Sequence, residues 1–152
     1  MIHLPNKVFI FCFILIFIIV LGCQPSKELR SNDILGLKFA YIPKGMNTAR
    51  AVQDCDGVFL FPENLKDTAI TDTKTISSFI KLVNELEESN DIINEDYRII
   101  CLIFLKDSEI PKRICFGEGW LINYEGVIMK DDADLFNFLD ALLYPEINIL
   151  ND

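Results

Sequence analysis

Histidine is almost missing from this sequence. The one histidine in 152 residues is His3, close to the amino terminus. Catalytic triads and dyads with an imidazole base, and metal sites built on ring nitrogens, need histidine in the folded body. Chemistry here would have to run on carboxylates, Lys, Tyr or Cys. Metal-ligand spacing is missing as well. The five cysteines form no C-x-x-C pair, so no zinc pattern arises. Asp131, Asp132 and Asp134 lack the central glycine and closing glutamate of a calcium loop. No catalytic residue, metal ligand or cofactor site is therefore assigned, and the chain is read as a non-enzyme. Positive charge is scarce too: 14 Lys and Arg stand against 23 Asp and Glu, a net charge of −9. Nucleic-acid binding needs cations to neutralise phosphates, so nucleic acid is excluded as a partner. Anionic headgroups offer no attraction either, so any hold on a membrane must come from hydrocarbon. No internal repeat or low-complexity segment is present.

Hydrocarbon is abundant at one end. Residues 8–21, VFIFCFILIFIIVL, carry no charge, no proline and no glycine. MIHLPNK ahead of them supplies the amino terminus and Lys7. A positive flank, an apolar run and a small residue make the layout of a secretory signal. The 14-residue run gives roughly 21 Å of helix at ~1.5 Å per residue, short of a ~30 Å hydrocarbon core. A helix apolar on every face at the extreme terminus is also a poor core element.

The run stops at Val20-Leu21-Gly22-Cys23 and turns at once into polar chain. That tetrad resembles the lipobox of bacterial lipoproteins: a branched apolar residue, a variable one, a small one, then cysteine. The resemblance covers residues 1–23. It implies cleavage between Gly22 and Cys23, lipidation of Cys23 through a diacylglycerol thioether, and often a palmitate-like acyl group on the new amino terminus. Each buried methylene contributes about 0.8 kcal/mol, so one chain holds marginally and two or three hold firmly. The membrane is then a partner through the Cys23 lipid. An uncleaved amino-terminal anchor is the alternative. Gln24, rather than aspartate, follows the cysteine, which by the same resemblance points to the outer membrane if the cell has two. The expected organisation is a signal peptide over 1–22, a polar tether over 23–36, one domain over 37–145 and a tail over 146–152. Cleavage removes His3 and Lys7 and leaves 130 residues with 13 Lys and Arg against 23 Asp and Glu, a charge of −10.

LKFAYIP (37–43) alternates and ends in proline, which predicts a strand. MNTARAVQDCD predicts a short helix from Asn47, GVFLFPE (57–63) a second strand, and ENLKDTAIT (63–71) a loop. The clearest helix spans 72–88. Asp72 or Thr73 caps it, and Ile76, Phe79, Ile80, Val83 and Leu86 share one face. YRIICLIFLK (97–106) is apolar at both parities, the mark of a central strand covered on both faces. KRICF, WLINY and GVIMK follow at spacings that predict an antiparallel meander, with Gly126 in the last turn. DDADLFNFLDALLYP closes as a helix capped by Asp131 or Asp132, with Leu135, Leu139 and Leu142 in one stripe. The fold class is α+β: a mostly antiparallel sheet of about five strands with two main helices on one face. From Asp72 to Leu143 the order is similar, in pattern only, to a module of small bacterial lipoproteins of unknown function. There an amphipathic helix, a central strand opening on DYRI, a meander and a closing helix follow one another, and no catalytic residue comes with it.

Cys55, Cys101 and Cys115 lie in or beside apolar runs. They make either one disulfide and one free thiol, or three buried thiols; burial of all three is preferred. Asp54-Cys55-Asp56 reads as a turn, since flanking negative charge raises a thiol pKa. The densest acidic stretch holds Glu85, Glu87, Glu88, Asp91, Glu95 and Asp96. Several of these fall at a helix carboxyl end, where the dipole disfavours them, so Glu85 and Glu88 are candidate binding-surface residues for a basic partner. Trp120 either anchors a partner or fills core. Arg98 and Arg113, on neighbouring strands, are expected to pair with carboxylates rather than form an anion site. The reading is a lipid-anchored envelope protein, most simply a non-catalytic protein-binding or structural and inhibitory module. The alternatives are an envelope small-ligand binder, with a pocket between the sheet and helix 72–88, and a carboxylate-based hydrolase.

Overall fold

A computed structural model describes residues 28–46, 48, 50–90 and 96–145. The expected signal, Cys23 and the first part of the expected tether lie outside the described residues, as do Asn47, Asp91, Glu95 and the expected tail 146–152. The described residues hold six strands: β1 (Ile34–Tyr41), β2 (Lys66–Ile70), β3 (Tyr97–Leu105), β4 (Lys112–Gly117), β5 (Ile122–Tyr124) and β6 (Val127–Met129). Helix α1 (Thr73–Asn84) separates β2 from β3, and α2 (Ala133–Leu143) closes the fold. The strands form one sheet in the order β2-β1-β3-β4-β5-β6, every pair antiparallel.

The α+β reading holds, with six strands rather than about five. The central strand is where both parities are apolar. Ile99, Cys101 and Ile103 of β3 enter the core beneath the helices, while Tyr97 and Ile100 enter the core on the opposite face. On the first face α1 contributes Ile76, Phe79, Ile80 and Val83, and α2 contributes Leu135, Leu139 and Leu143. Leu143 takes the buried place expected of Leu142, which is only partly buried. Each helix begins on an aspartate cap. Asp72 accepts from the Thr75 amide at 2.8 Å, and Asp132 accepts from the Leu135 amide at 2.7 Å, each satisfying a first-turn donor that has no partner within the helix.

Between β1 and β2 the expected order is overturned. Residues 57–63 do not form a strand; Cys55–Leu60 is a 3-10 helix, which also replaces the short helix expected from Asn47. Asp54 caps it by accepting from the Gly57 amide at 2.7 Å. Its Val58 is fully buried and packs with Val52, Ala40, Ile100 and Leu121 over the second sheet face. The apolar run therefore serves as a lid on the sheet rather than as one of its strands. Residues 66–70, expected as loop, form the edge strand, with Tyr41 opposite Lys66 and Leu37 opposite Ile70. Charged residues on a short edge strand are a common guard against further pairing.

Helix α1 also stops earlier than expected, with Glu85 as its carboxyl cap. The next residues join the far edge of the sheet. The Ser89 amide donates to the Ile128 carbonyl at 2.9 Å, and the Lys130 amide donates to the Glu87 carbonyl at 2.7 Å. At its other end the domain starts before Leu37. Leu29 is buried, and its amide and carbonyl are both held by the Asn84 side chain at 3.0 and 2.8 Å. The last residues of the expected tether, Leu29 to Gly36, thus belong to the fold. The β5–β6 hairpin turns on Glu125 and Gly126 at φ 52° and 90°, the left-handed pair that a two-residue turn requires.

Candidate functional site: a cleft at one end of the sheet

A cleft of about 340 Å³ opens where β1 leaves the sheet and β3 enters it. Its walls come from the turn after β1, the turn after β4 and the carboxyl half of α2. Ile42, Ile99, Phe136 and Tyr144 supply apolar surface, and Lys44, Arg98, Glu118 and Asp140 supply charge. Clefts of this kind, apolar with a few convergent polar groups, are the ordinary form of a small-ligand site, and this volume lies at the lower end of the usual range.

Each charge at the cleft has an opposite partner. Lys44 Nζ lies 2.6 Å from Asp140 Oδ2 and 5.3 Å from the centre of the Tyr144 ring. Arg98 is the more enclosed cation, its side chain 15% exposed. One terminal nitrogen donates to Asp96 at 2.7 Å and also lies 3.4 Å from Glu118 Oε1. The other terminal nitrogen donates to the Met46 carbonyl at 3.3 Å. Nε of Arg98 is buried and has no hydrogen-bond partner among the described residues. Asp96 is itself fixed, accepting from the Val52 amide at 2.9 Å.

The turn carrying Glu118 is set by close backbone approach. The Gly117 amide donates to the Leu121 carbonyl at 2.9 Å, and the Glu118 amide donates to the Asp96 carbonyl at 3.0 Å. A side-chain carbon on Gly117 would sit 2.7 Å from that Asp96 carbonyl oxygen, so only glycine fits. Across the cleft, Tyr144 donates from its hydroxyl to the Ile42 carbonyl at 3.1 Å and stands edge-on to Tyr41 at 5.3 Å. Burial pushes the Tyr144 phenol well above the ordinary value of 10.0, aided by Tyr41 and Asp140.

The sign of the linkage follows. Below the ordinary tyrosine pKa both folded and unfolded phenols are neutral, and the folded contribution is complete. Above it the unfolded phenol ionises first, so stability falls as pH rises toward the folded value. Tyr144→Phe is expected to cost about 1 kcal/mol at neutral pH through its lost hydrogen bond. It should also flatten the loss of stability between neutral pH and about pH 11. Urea unfolding at the two pH values checks both.

The residues expected to form a binding surface are not gathered at this cleft. Glu85 and Glu88 are exposed at the α1 end and take no part in its lining. Glu85 has Lys81 at 3.9 Å and Glu87 has Lys130 at 2.5 Å. Because the helix ends at Asn84, Glu87 and Glu88 lie beside β6 and not on the last helical turn. The Trp120 backbone closes the short turn Glu118–Trp120, whose first two residues line the cleft; its side chain lies outside what is described. Arg98 and Arg113 do pair with carboxylates, Arg113 holding Asp56 at 2.9 Å. Sequence reasoning passed over Lys44, Asp140 and Tyr144. Asn137 and Asp140 are the only polar side chains with a charge or amide between Leu135 and Tyr144, a break in an apolar helix that marks the cleft-facing side.

Of the three cysteines, Cys55 and Cys115 form a disulfide across 60 residues of chain, and Cys101 is free and buried. The preference for three thiols is thereby corrected. Cys115 lies opposite Ile100 and Cys101 opposite Ile114, so neighbouring residues of β3 send Cys101 to the helix face and leave Cys115 with the lid. Cys55, in the lid, can meet only Cys115. Burial raises the Cys101 pKa well above the ordinary thiol value, so little thiolate forms. A thiol reagent is expected to find no reactive group on the described domain when folded and one after denaturation without reductant. A fast-reacting thiol in the folded protein would contradict the pairing.

Among the described residues no helix is long and apolar enough to cross a membrane, and no group of three or more His, Cys, Asp or Glu is placed to hold a metal ion. No family model, no curated protein and no solved structure matches the chain.

Proposed function

We propose that this chain is an exported, lipid-anchored binding domain of the cell envelope that holds a small ligand in the cleft between the ends of β1, β3 and α2 and performs no chemistry on it. The cleft carries this reading: an apolar floor with charges gathered at its walls, each already neutralised by a neighbour. Carboxylates already paired with a neighbouring cation suit recognition better than proton transfer. The pocket sits by α2, not between the sheet and α1 as the small-ligand alternative had it. The Cys55–Cys115 disulfide supports export, because such bonds persist in oxidising compartments and are rare in the cytosol. Export agrees with the lipobox-like Val20-Leu21-Gly22-Cys23, and the outer membrane is the proposed destination in a two-membrane cell. A protein partner is the second reading. It draws on Glu85 and Glu88, exposed at the far end of α1, in a chain of net charge −9.

Fractionation tests the anchor. The natural protein is expected in the membrane pellet and to be released by detergent, while Cys23→Ser moves it to the soluble fraction or stalls it as an uncleaved precursor. Cys23→Ser that is cleaved and still membrane-bound would refute lipid anchoring.

A further inference from the structure

The reading of the cleft as a binding site leaves open what it binds, and Arg98 narrows the choice. A guanidinium presents two N–H groups side by side, from Nε and one terminal nitrogen, spaced to take both oxygens of a carboxylate. Around Arg98 that fork is half used. A terminal nitrogen reaches Asp96 and, at a longer 3.4 Å, Glu118, while Nε is buried without a partner among the described residues. Buried polar groups in folded proteins are nearly always hydrogen-bonded, and an orphan asks for a reason.

The two carboxylates beside Arg98 are not equivalent. Asp96 is 21% exposed and tied to the Val52 amide; Glu118 is 68% exposed. The Glu118 backbone is fixed through Asp96, yet no other hydrogen bond to its carboxylate is described. An exposed ion pair of this kind contributes about 0–1 kcal/mol, so its side chain swings away at little cost while the turn stays in place. Lys44 adds a second positive group on the wall, and Phe136, Tyr144 and Ile42 add an apolar bed beside it.

We propose that the cleft binds a small carboxylate carried on an apolar body, that Arg98 receives the carboxylate, and that Glu118 fills the same position when no ligand is present. Glu118 is a stand-in for the ligand's own charge. The ligand replaces it without changing the count of charges around Arg98, which is how an acidic protein accepts an acid. Arg98 lies in the middle of this exchange as the group that touches the ligand, and Asp96 positions it.

Calorimetric titration of the protein solubilised in detergent from its native membrane tests the assignment with three probes: hydrocinnamate, its neutral amide, and the cationic phenethylamine. Hydrocinnamate is expected to bind about tenfold or more tightly than the amide, the usual gain from a charge-assisted pair. Glu118→Gln is expected to tighten hydrocinnamate severalfold and leave the amide unchanged, a result that a purely structural Arg98 would not give. Arg98→Met, which removes the positive charge, should abolish the preference. Should that variant fail to fold, Glu118→Gln alone decides. Equal binding of acid and amide would overturn the carboxylate and leave the binding cleft standing. Binding of phenethylamine alone would also overturn it, and would assign the walls to Asp140 and Glu118. No binding by any probe would overturn both readings. The peptide Gly-Gly-Phe separates two sources of the same chemistry: affinity matching hydrocinnamate indicates a chain end, and its loss a free small acid, the carboxylate standing in either case.

Discussion

Replacing Cys115 with alanine is expected to lower the unfolding free energy by about 4 kcal/mol, the chain-entropy value for a loop near 60 residues. The bond joins the 3-10 lid to β4, and through it the lid is held on the second sheet face. Among the described residues that face has no α-helix of its own; Val58, Val52 and Leu121 do the covering. Opening the loop frees the unfolded chain and loosens the cover together. A domain of this size has roughly 5–15 kcal/mol in total, so the variant is expected to be marginal at about 37 °C. The urea midpoint should fall by roughly 2 M, and reductant should lower the midpoint of the natural protein to a similar degree. A midpoint indifferent to both reductant and Cys115→Ala would show that the two cysteines are not joined.

Phe79→Ala is expected to cost about 3–5 kcal/mol, the range for truncating a fully buried aromatic side chain. Phe79 is completely enclosed on α1. It meets Phe39 of β1 edge-on at 5.5 Å and Phe138 of α2 at 6.0 Å, so one ring bridges both helices and the sheet. The surrounding rings are held by three separate elements and cannot collapse together into the cavity. Since Phe79 and Cys115 lie in cores on opposite faces of the sheet, their effects should add to about 7–9 kcal/mol, and the double variant is expected to lose most of its folding stability. Circular dichroism reads this directly. A loss near 1 kcal/mol for Phe79→Ala would contradict the packing described for α1.

The elements legible in the sequence are those whose local pattern and buried face agree. In β3, Ile99 to Ile103 is apolar at both parities because helices cover one side and the lid the other. Helices α1 and α2 announce themselves through Asp72 and Asp132 and through apolar spacing. The hairpin follows from Gly126. What misled was the stretch after β1. GVFLF has the apolar density of a buried strand, and periodicity alone cannot separate a short buried strand from a short helix. KDTAI has the composition of a loop because it pairs on one side only and exposes Lys66 and Asp67. Its strand character comes from Phe39 to Tyr41, far away in sequence. The α1 end was misjudged for a similar reason: pairing of residues 87–89 with β6 overrides their helical leaning.

The cleft was largely illegible. Its charged walls come from four separate pieces of chain, Lys44, Arg98, Glu118 and Asp140, and only the sheet order brings them together. Arg98 was visible as a cation due to meet carboxylates, and it does. The disulfide was half visible. Strand parity puts Cys101 and Cys115 on opposite faces once β3 and β4 are paired in register. Placing Cys55 over the second face needed the lid, which the sequence pattern disguised as a strand.

Export, with lipid on Cys23, is the central proposal, and it goes with the Cys55–Cys115 disulfide. The intact mass of the protein taken from its native membrane, without reductant, tests this most directly. The expected species begins at Cys23, carries diacylglycerol on that residue, and is lighter by the two hydrogens of one disulfide. A species that retains Met1, with all its thiols free and no lipid, would contradict the account.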